Sequence, residues 1–248
     1  MTRPLVWITG ASSGIGFALA EEFSRQGWRV AASARGAGGL GRLPAETILV
    51  PLDVTDEALV ANAVTAIEAA HGPIDLAILN AGTHRPTPVS DFRPADFREL
   101  FTVNVFGTVN GLAALLPLMR ARGRGRIAVV ASVAGYSGLP GASAYGASKA
   151  ALINMTEALR VELAGSGVDI RLVCPGFVRT PLTDRNDFPM PFRIEADEAA
   201  RRMFHALTKG GGFETSFPRR FTFMLKLLRL LPYRLYFPLV RLITGQGR

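Results

Sequence analysis

The chain has 248 residues, 48% of them apolar and 19% charged, which is enough to bury a large core and too apolar for intrinsic disorder. Its one cysteine, Cys174, excludes an intrachain disulfide and fits a reducing compartment, and the scattered His71, His84 and His205 make no metal-ligand cluster. The formal net charge of +8 is uneven: residues 218–248 hold seven basic side chains and no acidic one, which leaves +1 for the rest and argues against a nucleic-acid-binding body.

Arg3 and the apolar stretch after it do not form a secretion signal, because glycines and serines at 10–16 interrupt any apolar core. Leu5–Thr9 instead reads as a buried strand and Ile15–Gln26 as a helix. Strands follow at Arg29–Ser33 and Thr47–Leu52. Asp56–His71 is helical, with apolar positions at Leu59, Ala63, Ala66, Ile67 and Ala70 at a period of about 3.6. Asp75–Asn80 is a strand, and a long helical region runs from Pro94 to Ala121, where Gly123–Gly125 stops it. Arg126–Ser132 is the fifth strand, Ser143–Ala164 a helix ended by Gly165 and Gly167, and Val168–Cys174 the sixth strand. Ala196–Lys209 is a helix capped by glycines, and Phe213–Phe217 is the seventh strand.

Apolar strands separated by helices mean a parallel sheet covered on both faces. The expected fold is therefore α/β, a doubly wound Rossmann-type sheet of about seven strands. One domain occupies residues 1–217, and a basic, apolar extension occupies 218–248. No run of about 18 consecutive apolar residues occurs, so no membrane-spanning helix is expected.

The first strand–helix junction is Thr9-Gly10-Ala11-Ser12-Ser13-Gly14-Ile15-Gly16. Its glycines permit a tight turn and a close approach to a pyrophosphate, which the free N–H groups of the following helix attract. Far downstream, Tyr145 and Lys149 share one helix face at i,i+4 spacing, and Ser132 closes the fifth strand. A phenol beside an ammonium has its ionised form favoured, so the Tyr145 pKa is expected to fall toward the working pH. A hydroxyl nearby then holds a carbonyl or alcohol oxygen.

With these motifs in register the chain resembles the short-chain dehydrogenase/reductase family over about residues 4–217. Further landmarks match: Asp53 after the third strand, Asn80-Ala81-Gly82 after the fourth, Asn104 in the long helix, and Pro175-Gly176 with Thr180 after the sixth. The resemblance implies that Tyr145 is the general acid and base, that Lys149 lowers its pKa and bonds the nicotinamide ribose, and that Ser132 orients the substrate oxygen. It implies that Asn104 holds a water linking Lys149 to solvent. It places the cofactor against Gly10, Ser12, Ser13, Gly14, Ile15 and Gly16, against Asp53 and Val54 near the adenine, and against Asn80, Ala81 and Gly82. Pro175, Gly176, Val178 and Thr180 are implied around the nicotinamide.

Cofactor choice is read at the end of the second strand, where an acidic residue would bond the ribose 2′-OH of NAD. Here Ala34 takes that place and Arg35 follows, a guanidinium suited to a 2′-phosphate, so NADP(H) is expected over NAD(H). The segment Phe177–Glu195 lies where the family keeps its substrate loop; Leu182, Phe188, Met190 and Phe192, with Pro181, Pro189 and Pro191, suggest a lid over an apolar substrate. Leu139, Pro140 and residues 83–89 are expected in the same cleft, with Arg85, Arg179 and Arg185 as candidates for a substrate anion.

The tail mixes apolar residues with Arg219, Arg220, Lys226 and Arg229, and Pro232 and Pro238 are expected to break it into short pieces. Three readings of it stay open: a membrane surface, a second subunit, and a clasp on the parent domain. The expected activity is hydride transfer between NADP(H) and a carbonyl or secondary alcohol. The alternatives are a 3-oxoacyl-thioester ketoreductase, whose acidic carrier protein would welcome a basic tail, and a nucleotide-sensing protein without turnover. Sugar-nucleotide epimerases share the Tyr/Lys spacing, but this length leaves little room for their larger substrate domain. The resemblance also implies a homo-oligomer formed through the two long helices, here around 103–121 and 144–164, and the cytoplasm is the expected location.

Overall fold

Five consecutive buried residues, Leu5–Thr9, form the interior strand β1 of the computed structural model, which describes residues 3–185, 190–210 and 212–245. Strands with both faces covered bury every side chain, and β2 (Arg29–Ser33), β4 (Leu76–Leu79) and β5 (Gly125–Val130) follow that rule closely. With β3 (Ile48–Leu49), β6 (Val168–Pro175) and β7 (Glu214–Phe217) they make one sheet of order β3-β2-β1-β4-β5-β6-β7. All six pairings are parallel, in registers such as Ile8↔Ala32 and Ile8↔Ile78.

The connecting helices are α1 (Gly14–Arg25), a short α2 (Ala37–Leu40), α3 (Glu57–His71), α4 (Pro94–Phe101), α5 (Gly107–Ala121), α6 (Ser143–Glu162) and α7 (Ala196–Thr208). On one sheet face, Leu19 and Phe23 of α1 pack with Met203 and Phe204 of α7. On the other, Val60 and Ile67 of α3, Leu112 and Leu115 of α5, and Leu152 of α6 close a second core. Capping sets the boundaries: Asp56 accepts a bond from Leu59 N at 2.9 Å to start α3, and Gly72 ends it at φ 83°.

The helix predicted over 94–121 is continuous, but residues Thr102–Phe106 wind as a π turn between α4 and α5. By length and composition this helix is apolar enough for a bilayer. Instead it is a core helix, with Leu100, Leu112, Leu115 and Met119 buried. The third strand is shorter than Thr47–Leu52. Beyond it Val50 N and Leu52 N still bond Ala32 O and Ala34 O at 2.9 and 3.0 Å, and Pro51 between them sits where a strand N–H would face away from β2.

The tail departs from expectation at Pro238. Pro232 does separate two helices, α8 (Arg219–Arg229) and α9 (Tyr233–Thr244), but Pro238 lies inside α9, on its exposed side. A helix of 12 residues held to the body by Tyr236 and Val240 absorbs one missing backbone bond. Leu225 and Thr222 of α8 are also buried, and the Tyr236 hydroxyl donates to Gly138 O, so one face of the tail does clasp the domain.

Candidate active site

In an open parallel sheet the crevice forms at the carboxyl ends of the strands, where the order reverses, here between β1 and β4. A cleft of about 740 Å³ opens there. The glycine loop leaving β1 makes one wall. Gly10 stands at φ 70°, and a Cβ on it would lie 2.8 Å from Ala81 Cα; a Cβ on Gly16 would enter Gly10 O. The loop is pinned to β4: Asn80 Nδ2 donates to Thr9 O at 3.0 Å, and Asn80 N and Ala81 N both donate to Thr9 Oγ1 at 3.0 Å. The first-turn N–H groups of α1 therefore begin at the cleft.

Gly10, Ser12, Ser13, Gly14, Ile15, Gly16, Arg35, Asp53, Val54, Asn80, Ala81 and Gly82 all line this cleft, as do Pro175, Gly176, Val178 and Thr180 from the far side. Ser132, Tyr145 and Lys149 stand on its floor. Asn104 is the exception: fully buried in the π turn, it sits behind the wall. Its Oδ1 accepts from Thr83 N at 2.7 Å, and its Nδ2 donates to Thr83 O and Ser148 Oγ, both at 3.0 Å. Gly82 brings the site together, since a Cβ there would lie 3.2 Å from Asn104 Oδ1 and 3.5 Å from Lys149 Nζ.

Ser132 caps the turn after β5. Its Oγ accepts from Ala134 N at 3.1 Å and shares a hydrogen bond with the half-buried Tyr145 hydroxyl. Gly135 lets that turn press onto α6, since a Cβ would lie 2.7 Å from the Lys149 carbonyl carbon. Tyr145 is in the first turn of α6, and the next turn carries Lys149, whose Nζ donates to Val130 O at 3.0 Å.

The expected fall in the tyrosine pKa does not occur here. Burial raises the Tyr145 pKa, and the hydrogen bond from Ser132 only partly opposes it. Burial also depresses Lys149, to about 8. The ammonium lies 5.8 Å from the Tyr145 ring centroid and spends a proton on a backbone carbonyl, so loss of water outweighs the mutual attraction. Asp53, by contrast, is held below the usual carboxylate range, first by Thr55 N and with a smaller effect of Arg35.

Of the candidates for a substrate anion, Arg85 pairs with Asp96 at 2.9 Å and Glu99 at 3.1 Å, and Arg179 pairs with Glu195 at 2.8 Å. The Arg185 side chain, Phe188 and Pro189 lie outside the described residues. Pro181 and Leu182 line the cleft, while Phe177 and Phe192 pack on Phe221 of α8 at 5.5 and 6.1 Å between ring centroids. Of Leu139, Pro140 and residues 83–89, Thr83 alone is among the described lining residues; Thr87 is occupied by Ser143 Oγ and Ala144 N.

Sequence reasoning missed several neighbours. Gly36 and Gly39 line the cleft beside Arg35, and their glycine-rich run was a legible signal, since a Cβ on Gly39 would lie 2.6 Å from Ser12 Cβ. Arg42 donates to Ser12 O at 3.0 Å and stacks on Phe17 at 5.2 Å, and Val103 lines the wall one residue before Asn104. Nothing in the local sequence marks either.

These residues fit a nicotinamide dinucleotide: glycines where a Cβ would collide, a helix N-terminus facing the loop, and polar groups spaced along one cleft. A family model described as short chain dehydrogenase matches residues 4–188. An uncharacterized oxidoreductase of Myxococcus xanthus is 38% identical over 236 residues, covering 92% of this chain and 93% of its own. A short-chain dehydrogenase/reductase of Burkholderia phymatum, solved in complex with NAD, superposes with a TM-score of 0.82 at 28% identity, covering 91% and 92% of the two chains. A short chain dehydrogenase of Burkholderia cenocepacia in complex with NADP gives a TM-score of 0.79 at 30% identity, covering 93% and 98%. Geometry and kinship agree that this chain belongs to the short-chain dehydrogenase/reductase family, as a nicotinamide-dependent oxidoreductase of CH–OH and C=O groups.

Proposed function

We propose that the protein interconverts an uncharged, apolar carbonyl compound and its secondary alcohol with NADP(H), using Tyr145 as the general acid and base. The observation that carries this reading is the meeting of Tyr145, Ser132 and Lys149 on the floor of the cleft whose far wall is the glycine loop. When bound, the cofactor supplies or accepts the hydride. In the reducing direction the Tyr145 hydroxyl gives its proton to the carbonyl oxygen, and the Ser132 hydroxyl holds that oxygen and stabilises its charge. The Lys149 ammonium offsets the phenolate that is left. Asn104 keeps the π turn tied to Thr83 and Ser148, in position to hold a water leading to Lys149.

The preference for NADP(H) rests on Ala34 and Arg35. No carboxylate stands where it would repel a 2′-phosphate, and the exposed Arg35 faces the cleft. An apolar, uncharged substrate is supported by the pairing of Arg85 and Arg179 with carboxylates and by Pro181 and Leu182 on the cleft wall. We also read the exposed Phe106, Leu118 and Val161 on the two long helices as a homo-oligomer surface. NADPH and NADH oxidation against ketones, aldehydes, retinoids, steroids and 3-oxoacyl thioesters tests the reading. A higher kcat/KM with NADH, or turnover confined to thioesters, overturns the corresponding part.

A further inference from the structure

The two tail helices use one face each to hold the body and present the opposite face to solvent. In α8 the inward residues are Phe221, Thr222, Leu225 and Leu228; in α9 they are Tyr236 and Val240. On the outward side of α8 stand Phe223 and Leu227, with Leu230 at its C-cap, at i, i+4 and i+7; they are 63%, 49% and 79% exposed. Leu235, Leu239 and Leu242 repeat that spacing on α9 and are also exposed. Such spacing makes a ridge along one helix side. Arg219, Arg220 and Arg229 stand along the first helix, and Arg234 and Arg241 along the second. A soluble surface seldom carries so many neighbouring apolar side chains unless something covers them.

We propose that α8 and α9 dock flat on an anionic phospholipid bilayer. At 11 and 12 residues, each about 16–18 Å long, neither reaches across a membrane, so the helices lie in the headgroup plane. Apolar ridges enter the acyl boundary while the flanking guanidinium groups meet lipid phosphates. Charge decides between occupants. Residues 218–248 contain no acidic side chain, so a second copy placed tail against tail would face like charges across the contact. A bilayer rich in acidic lipid offers the missing counter-charge.

Sedimentation of the full chain with phosphatidylcholine vesicles, and with vesicles that also contain phosphatidylserine, tests this directly. The wild type is expected to partition strongly to the acidic vesicles alone, and less as salt rises. Each basic side chain near the surface is worth roughly a fivefold change in partition, so the triple variant R219Q/R220Q/R234Q is expected to lose about a hundredfold. The variant L227Q/L230Q/L242Q is expected to lose binding while keeping the far-UV dichroism and the NADPH oxidation of the wild type. Equal sedimentation with both vesicle types, or none with either, overturns the proposal, and the lipid comparison holds whether or not a variant folds. So does an oligomer that L227Q/L230Q/L242Q converts to monomer without any vesicle binding, since the covering partner is then a second copy.

Discussion

Replacing Lys149 with methionine should stabilise the cofactor-free protein while removing its activity. Lys149 is 5% exposed, and burial takes its pKa from 10.5 to about 8. At about 1.36 kcal/mol per unit, the charged form is disfavoured by about 3 kcal/mol at neutral pH. Methionine is unbranched, of similar reach, and carries no charge to bury. It loses the hydrogen bond to Val130 O, worth about 1 kcal/mol. The net gain is about 2 kcal/mol, which for a chain of this size raises Tm by about 4–8 °C.

The sign follows from proton linkage. Between pH 8 and 10.5 the unfolded chain keeps a proton on Lys149 that the folded protein has lost. Wild-type stability therefore rises with pH across that window relative to K149M, and the gap between the two closes. Below pH 8 both states are protonated and the gap is constant. Thermal unfolding of both proteins without cofactor at pH 7 and pH 10 reads this, with NADPH oxidation as the activity control. A variant less stable than the wild type at pH 7, or a gap that does not shrink at pH 10, refutes the reasoning.

Tyr145→Phe removes one hydroxyl that is bonded to Ser132, so kcat should fall about 10²–10⁴-fold with the far-UV dichroism unchanged. Full retained turnover would falsify the assigned role. Arg35→Ala should lower kcat/KM for NADPH by about tenfold or more while leaving NADH within a few-fold, because only one of the two carries a 2′-phosphate. Asn104→Ala leaves the half-buried Thr83 N–H and the buried Ser148 hydroxyl short of a partner; a loss of about 1–3 kcal/mol in chemical denaturation is expected, together with reduced turnover.

Much of the site was readable because its residues announce themselves locally. The glycine loop follows a strand and opens a helix, Tyr145 and Lys149 lie one turn apart, and Pro175-Gly176 ends an apolar run. What escaped depends on tertiary neighbours. Arg42 reaches Ser12 across 30 positions, and Val103 meets the cleft from within a π turn. The third strand was read past its regular ladder because Val50 and Leu52 still bond β2 beyond it, and Pro238 was read as a break because its solvent-facing position in α9 is invisible in one dimension. Arg85 looked available in the sequence and is bound to Asp96 and Glu99 once the chain folds.

The tyrosine and lysine show the limit most sharply. Their spacing guarantees proximity on one helix face, and proximity alone favours the phenolate. The sign of a pKa shift belongs to the whole environment, and here both groups line the cleft with Lys149 buried and Tyr145 partly so. Burial then opposes charge on each: the phenol is held protonated and the amine is brought to about 8. A raised pKa makes the phenol a weaker acid, so burial alone does not equip Tyr145 to give up its proton. Burial therefore opposes both the expected fall of the phenol pKa and the charge on its neighbour. It also gives Lys149 a stability cost that K149M can measure without cofactor.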